Sequence, residues 1–274
     1  MLCALRASAF SMKHFICPLC QQAFTSNAQG LACSAGHQFD AAKEGYFNLL
    51  PVQHKHSRTP GDAKAQLVAR RKFLNAGFFS PLVDSIKTLI PESAQTLLDI
   101  GCGEGYFTGA FAQQLKPADV YGIDIAKDGV RLAAKSYPAN YAVASSYSLP
   151  IVDASMNVIT RIYAPSKDEE LQRVLAPEGR LIIVTPGQNH LLALRRAIYD
   201  NLRPHPEPEA PEGFVALEHH QLQFPLSIPA GELSEAVLQM TPFAWRLSLA
   251  QQQALATRGI EDQADFHVSV YVTV

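Results

Sequence analysis

From residue 96 to residue 186 the chain alternates short apolar runs with amphipathic stretches, and this alternation restricts the fold more than any other feature. The runs TLLDIG (96–101), VYGIDI (120–125), YAVAS (141–145), NVITRIYA (157–164) and RLIIVTP (180–186) read as strands. YFTGAFAQQLK, AKDGVRLAAKSY and KDEELQRVL read as helices between them. Strands that are apolar on both faces need cover on both sides, so the expected architecture is an α/β fold with a mainly parallel sheet. Two helices precede it: GDAKAQLVARRKFLN, entered at Asp62 and stopped at Gly77, and PLVDSIKTLI, begun at Pro81. After the sheet come a helix from His190 to about Asn201, a Pro-rich loop over 203–213, a helix GELSEAVLQM and a final strand FHVSVYVTV.

The first 50 residues obey a different logic. Residues 1–13 read as an unstructured tail, and residues 14–50 are too few and too punctuated to bury a core of their own. Four of the chain's five cysteines lie within the first 33 residues. Cys17 and Cys20 are followed after twelve residues by Cys33 and after three more by His37. Thiolates and imidazole at this spacing bind Zn2+ tetrahedrally: the short gap presents two sulfurs to one ion, and the long arm returns the other two ligands. Four protein ligands close the coordination sphere, so the predicted ion is structural. Cys3 and Cys102 have no partners at such spacing.

Between the first strand and its helix lies Asp99-Ile100-Gly101-Cys102-Gly103-Glu104-Gly105-Tyr106. Open α/β sheets bind ligands here, beyond the carboxyl ends of their strands. A dinucleotide fingerprint would need glycine at position 106, where the chain has Tyr106. G-x-G-x-G with a preceding acid instead resembles the binding loop of class I S-adenosylmethionine-dependent methyltransferases. Asp124 closes the second strand, where a carboxylate either holds ribose hydroxyls or caps the following helix. The third strand ends in Ala144-Ser145-Ser146, where many such enzymes carry an Asp for the adenine amino group.

Net charge is −2 over 274 residues, yet residues 43–72 hold seven Lys or Arg against two Asp or Glu. That asymmetry points either to an anionic partner or to a solvated helix face. No apolar run reaches the ~20 residues of a membrane helix, and MLCALRASAFSM fails as a secretory signal, so the expected location is the cytoplasm with no membrane partner.

Together, the zinc spacing, FDAAKEGYFNLLP (39–51), Pro60-Gly61-Asp62, Ala69-Arg70-Arg71, LLDIGCGEGYFT, RIYAPSK and MTPFAWR resemble the bacterial 23S rRNA guanine-N1 methyltransferase family, in its Gram-negative form, over residues 14 to 274. The resemblance implies a Rossmann-like class I methyltransferase domain at 93–274, its mainly parallel sheet ending in an antiparallel C-terminal strand. A zinc-binding RNA-recognition module would occupy 14–50, with a basic linker and helices at 51–92. It implies methyl transfer from S-adenosylmethionine to N1 of a guanine in a domain II hairpin of 23S rRNA, by a homodimer.

The cofactor residues implied are Phe79, Asp99, Gly101, Gly103, Glu104, Gly105, Phe107, Thr108, Asp124 and His190. Read alone, His190 is also an ordinary helix-start residue. Tyr163 and Pro165, after the fourth strand, are candidates for the target pocket, Tyr163 either meeting an extruded guanine or packing at the core edge. Trp245 either closes that pocket or packs. Lys43, Lys55, Arg58, Arg70 and Arg71 are candidates to grip RNA phosphates, Arg70 and Arg71 being equally suited to surface salt bridges. The competing readings are a small-molecule methyltransferase whose zinc module caps the pocket, and a non-catalytic RNA-binding protein on a cofactor fold.

Overall fold

The computed structural model describes residues 12–27, 29–54, 61–115, 119–199, 202, 204–241 and 246–274. Lys55, His56, Arg58, Trp245 and Cys3 lie outside them.

Five parallel strands carry the middle of one eight-stranded sheet: β5 (Thr96–Ile100), β6 (Asp119–Asp124), β7 (Asn140–Val143), β8 (Met156–Ile162) and β9 (Leu175–Pro186). The helices between them are α3 (Tyr106–Gln114), α4 (Lys127–Ser136) and α5 (Asp168–Val174). At one end stand β11 (Ile260–Thr273), antiparallel to β9, and β10 (Phe214–Ile228), antiparallel to β11. The expected antiparallel C-terminal strand is β11, and FVALEHHQLQFPLSI adds a second as the outer arm of a long ribbon. Strand order is β10-β11-β9-β8-β5-β6-β7-β4, where β4 is Phe47–Asn48 from the N-terminal segment, parallel to β7.

Strand periodicity divides the core in two. Leu97, Val120 and Val158 point to one face, where they meet α1 (Lys64–Asn75) and α2 (Ser80–Leu89) through Phe73, Leu82 and Ile86. Leu98, Ile100, Tyr121 and Ile123 point to the other, where Leu171 and Val174 of α5 cover them. Phe15 and Leu31 complete this second cover. Phe15 is fully buried, its ring edge-on to Tyr121 at 5.2 Å, and Ile16 N–H donates to Pro150 O at 3.0 Å. Met12 and Lys13, expected as the end of a tail, are engaged too: Met12 O accepts Phe15 N–H, and Lys13 pairs with Asp119 at 3.1 Å.

Element ends differ from the sequence expectation where local hydrogen bonds intervene. Helix α1 is capped at Ala63, whose N–H donates to Gln66 Oε1, while Asp62 turns to pair with Arg70 at 2.6 Å. Strand β7 stops at Val143 because Ser145 bridges to Ser148 across a turn. The helix expected from His190 to about Asn201 is α6, Leu192–Arg196; Asp262 takes its first N–H groups, and bifurcated bonds from Ala197 close it early. The remaining helices are α7 (Glu232–Met240) and α8 (Leu249–Arg258), the latter begun by a Ser248/Gln251 capping box. Among the described residues no helix is long and apolar enough to cross a membrane.

Candidate active site and metal centre

The carboxyl ends of β5, β6, β7 and β8 open into a cavity of about 630 Å3, within the range of sites that enclose a small organic ligand. Phe79, Asp99, Gly101, Gly103, Glu104, Phe107, Asp124, His190, Tyr163 and Pro165 all line it. Gly105 and Thr108 do not, and their places explain why. Gly105 caps α3 with a φ of +88°, a conformation that costs a side-chain-bearing residue energy. Thr108 is buried beneath the loop and donates to Asp99 Oδ2 at 2.5 Å, while Thr160 donates to Oδ1 at 2.8 Å. Burial pushes the Asp99 carboxyl up to about 6 against the opposing pull of these two hydroxyls.

The loop follows from the same contacts. Gly101 has a φ of +72°, and a Cβ there would stand 2.3 Å from Ala164 Cβ. At Gly103, with a φ of +54°, a Cβ would meet only the tip of the Arg70 side chain, 3.7 Å away at Nη1, so its backbone is open to a ligand on the cavity side. Gly103 N–H donates to Asp124 Oδ2 at 2.8 Å and Ala126 N–H to Oδ1 at 2.7 Å. Asp124 thus ties the loop to the start of α4 while lining the cavity; each oxygen keeps a lone pair for a hydroxyl. Both sequence roles, cap and hydroxyl acceptor, are compatible with this placement.

Lining charge is acidic: Asp62, Asp99, Glu104 and Asp124 against Arg70 alone. Burial raises the Glu104 carboxyl to about 7, against the pull of Arg70 and Arg71. A cationic ligand suits this lining and a pyrophosphate does not. Open backbone at Gly103, hydroxyl acceptors at Asp124 and apolar walls at Leu74, Phe79 and Ile125 fit S-adenosylmethionine. Arg70 and Arg71 therefore face inward in part: Arg70 pairs with Asp62 and lines the cavity, and Arg71 is half-buried. Lys43 is exposed.

At the other end of the cavity His190 sits among rings, 4.8 Å from Phe266, 6.0 Å from Tyr163 and 6.2 Å from Phe79. Burial lowers its imidazole to about 4, so it is neutral at ordinary pH. Nδ1 accepts Asp265 N–H at 3.3 Å, which places the ring proton on Nε2, 3.5 Å from the Tyr163 hydroxyl. The phenol oxygen accepts, and its own proton is free to donate elsewhere. Tyr163 holds a φ of +56°, a strained conformation for a bulky residue, of the kind found where a side chain serves a site. Residues missed by the sequence reading as site members include Tyr147, His205, Met240 and Thr241. Tyr147 follows the third strand by a few residues, a position that signals the rim; the others come from distant loops.

The second constellation is the metal centre. Cys17, Cys20, Cys33 and His37 bring their ligand atoms within 4.8 Å of one another, with Cys17 Sγ and Cys33 Sγ at 3.5 and 3.3 Å from His37 Nδ1. A zinc tetrahedron with bonds near 2.3 Å has edges of about 3.8 Å, so the donor set fits one ion. Two tight turns present the sulfurs: Gln21 N–H returns to Cys17 O at 2.8 Å, and Gly36 N–H to Cys33 O at 3.0 Å. The three-stranded sheet β1 (Phe24–Ser26), β2 (Gly30–Cys33) and β3 (Gln38–Asp40) joins them.

Comparison with known proteins bears on both constellations. A family model described as "RlmA, N-terminal" matches residues 15–58, and one described as "Methyltransferase domain" matches residues 97–179. A Bacillus subtilis (strain 168) protein whose name assigns it to the 23S rRNA (guanine-N(1)-)-methyltransferases is 34% identical, covering 92% of this chain and 95% of its own length. The 23S rRNA (guanine(748)-N(1))-methyltransferase of Streptomyces fradiae is 30% identical, covering 85% and 86%. A malonyl-[acyl-carrier protein] O-methyltransferase of Methylococcus capsulatus is 32% identical but covers only 42% of this chain and 46% of its own.

Proposed function

The chain belongs to the family of 23S rRNA (guanine-N1)-methyltransferases, and on that premise we propose that it methylates N1 of one guanine in a domain II hairpin of 23S rRNA. S-adenosylmethionine supplies a methyl group already activated on a sulfonium. What the chain must add is position, holding the target base in line with that methyl.

In this reading the loop Gly101, Gly103, Gly105 admits the cofactor and Asp124 takes its ribose hydroxyls. Phe79, Phe107, Glu104 and His190 complete the walls, and Thr108 acts through Asp99. Tyr163 and Pro165 receive the guanine, which must leave its stack to be reached. The phenol proton left free by His190 donates to the base. The observation that carries the proposal is that Tyr163 and Asp124 line one cavity, so the base end and the cofactor end meet without an intervening wall.

Zn2+ held by Cys17, Cys20, Cys33 and His37 would order the N-terminal module, which with Lys43, Lys55 and Arg58 grips the hairpin's phosphates, while Arg70, and Arg71 in part, turn instead toward the cavity. The reading extends to a homodimer acting in the cytoplasm, where light scattering of the purified protein reports the oligomeric state.

The test is incubation of purified protein with labelled cofactor and unmodified 23S rRNA, followed by nuclease digestion and mass spectrometry. One N1-methylguanosine in a domain II hairpin is expected. Label in a small-molecule extract and none in RNA would establish the competing enzyme reading instead.

A further inference from the structure

Guanine N1 carries a proton at neutral pH, and forming the N1–CH3 bond requires that proton to leave. Every acid–base group lining the cavity can be asked whether it has a free lone pair to take it. Asp99 spends both oxygens on Thr108 and Thr160 and lies beneath the loop. Asp124 accepts one backbone N–H on each oxygen, and in the function proposed its remaining lone pairs go to the ribose hydroxyls at the cofactor end. Asp62 is paired with Arg70, and Glu104 belongs to the glycine loop, at the cofactor end of the cavity and away from Tyr163 and Pro165 in the function proposed. His190 accepts at Nδ1 and is protonated at Nε2. Tyr147 and Tyr163 are phenols, and a phenol's ordinary pKa of about 10 leaves it protonated at neutral pH.

One group remains. His205 lines the same cavity, is half-buried, and has no hydrogen-bond partner among the described residues. It stands between Pro204 and Pro206 in a segment without regular structure, where the ring of Pro206 confines the His205 backbone to extended conformations. The charged groups that act on it are Arg195, which disfavours its protonation, and Asp265, which favours it; neutral His190 lies near as well.

We propose that His205 is the proton acceptor of the methyl-transfer step, a deepening that rests on the function proposed above. As the N1–CH3 bond forms, the S–CH3 bond breaks and its electron pair stays on sulfur, turning the sulfonium into a neutral thioether. The N1–H bond breaks and its proton passes to an imidazole nitrogen of His205. Positive charge thus moves from sulfur to imidazolium, and solvent discharges it after the product leaves. Burial and Arg195 both keep the resting ring neutral and ready to accept.

The experiment is single-turnover methyl transfer to unmodified 23S rRNA from pH 5 to pH 9, with wild type, His205→Ala and His205→Asn. Wild type is expected to rise with pH to a plateau, its midpoint below the ordinary imidazole value. Both variants should lose about 100-fold at neutral pH while binding cofactor and RNA as tightly as wild type, and added imidazole should restore part of the His205→Ala rate. Wild-type rates and profiles in both variants would overturn the proposal, as would rate losses matched by lost affinity with no imidazole rescue. Absence of N1-methylguanosine from the wild-type reaction would instead remove the underlying function, and this step with it.

Discussion

Thr108 Oγ1 lies 2.5 Å from Asp99 Oδ2, so the first turn of α3 is bonded to the end of β5 directly under the glycine loop. A hydrogen bond to a buried carboxyl contributes about 1.5–3 kcal/mol. Thr108→Val should lower unfolding stability by that amount and weaken cofactor binding, while Thr108→Ser should retain most of both. Urea denaturation and calorimetry measure the two effects.

The buried carboxyls give a pH dependence of opposite sign to that of a salt-bridged acid. Asp99 stands at about 6 against an ordinary 3.8, and Glu104 at about 7 against 4.5. Folded-state values above unfolded ones mean that their stability contribution is full below the unfolded values and is lost as pH rises through 6 and 7. Asp99→Asn and Glu104→Gln should therefore gain stability relative to wild type between pH 4 and pH 8, by at most roughly 3 kcal/mol each. Differences that stay flat across that range would contradict the assignment.

Gly101→Ala sets a methyl 2.3 Å from Ala164 Cβ and imposes a left-handed conformation on a residue with a side chain. The conformation alone costs about 1–2 kcal/mol, and the contact must be relieved by moving the loop or the Tyr163 segment. Cofactor affinity should fall at least tenfold in calorimetry, with the fold retained by circular dichroism.

Removing zinc by chelation, or substituting Cys20→Ser, should disorder residues 15–41 and reduce RNA binding more than cofactor affinity. Hydrogen exchange would report the first effect and filter binding the second. Unchanged RNA affinity in a metal-free protein would show that the module does not grip the hairpin.

Much of this arrangement is visible in the chain itself because it depends on local pattern. The apolar runs 96–101 and 120–125 mark strands, and glycines between strand and helix mark the cavity mouth. The metal ligands announce themselves by spacing alone. What escaped the sequence depends on contacts between distant segments. His205 and Thr241 reach the cavity from loops whose positions are set by the β10–β11 ribbon, and no short-range periodicity encodes that. Arg70 reads as a surface cation until Asp62, eight residues earlier, turns it toward Glu104. His190 reads as a helix start until Asp262 draws the first turn of α6 two residues onward.

Phe47–Asn48 extends the same sheet whose strand tips surround the cavity, and Phe15 is sealed under Tyr121. The metal-bearing segment and the reaction chamber are thereby mounted on one frame, through a strand pair and a buried ring. In the function proposed above, a stem of RNA held at the first would be offered to the second at a set distance, and the substrate would be measured as a ruler measures, by how far the reactive base stands from the point of grip.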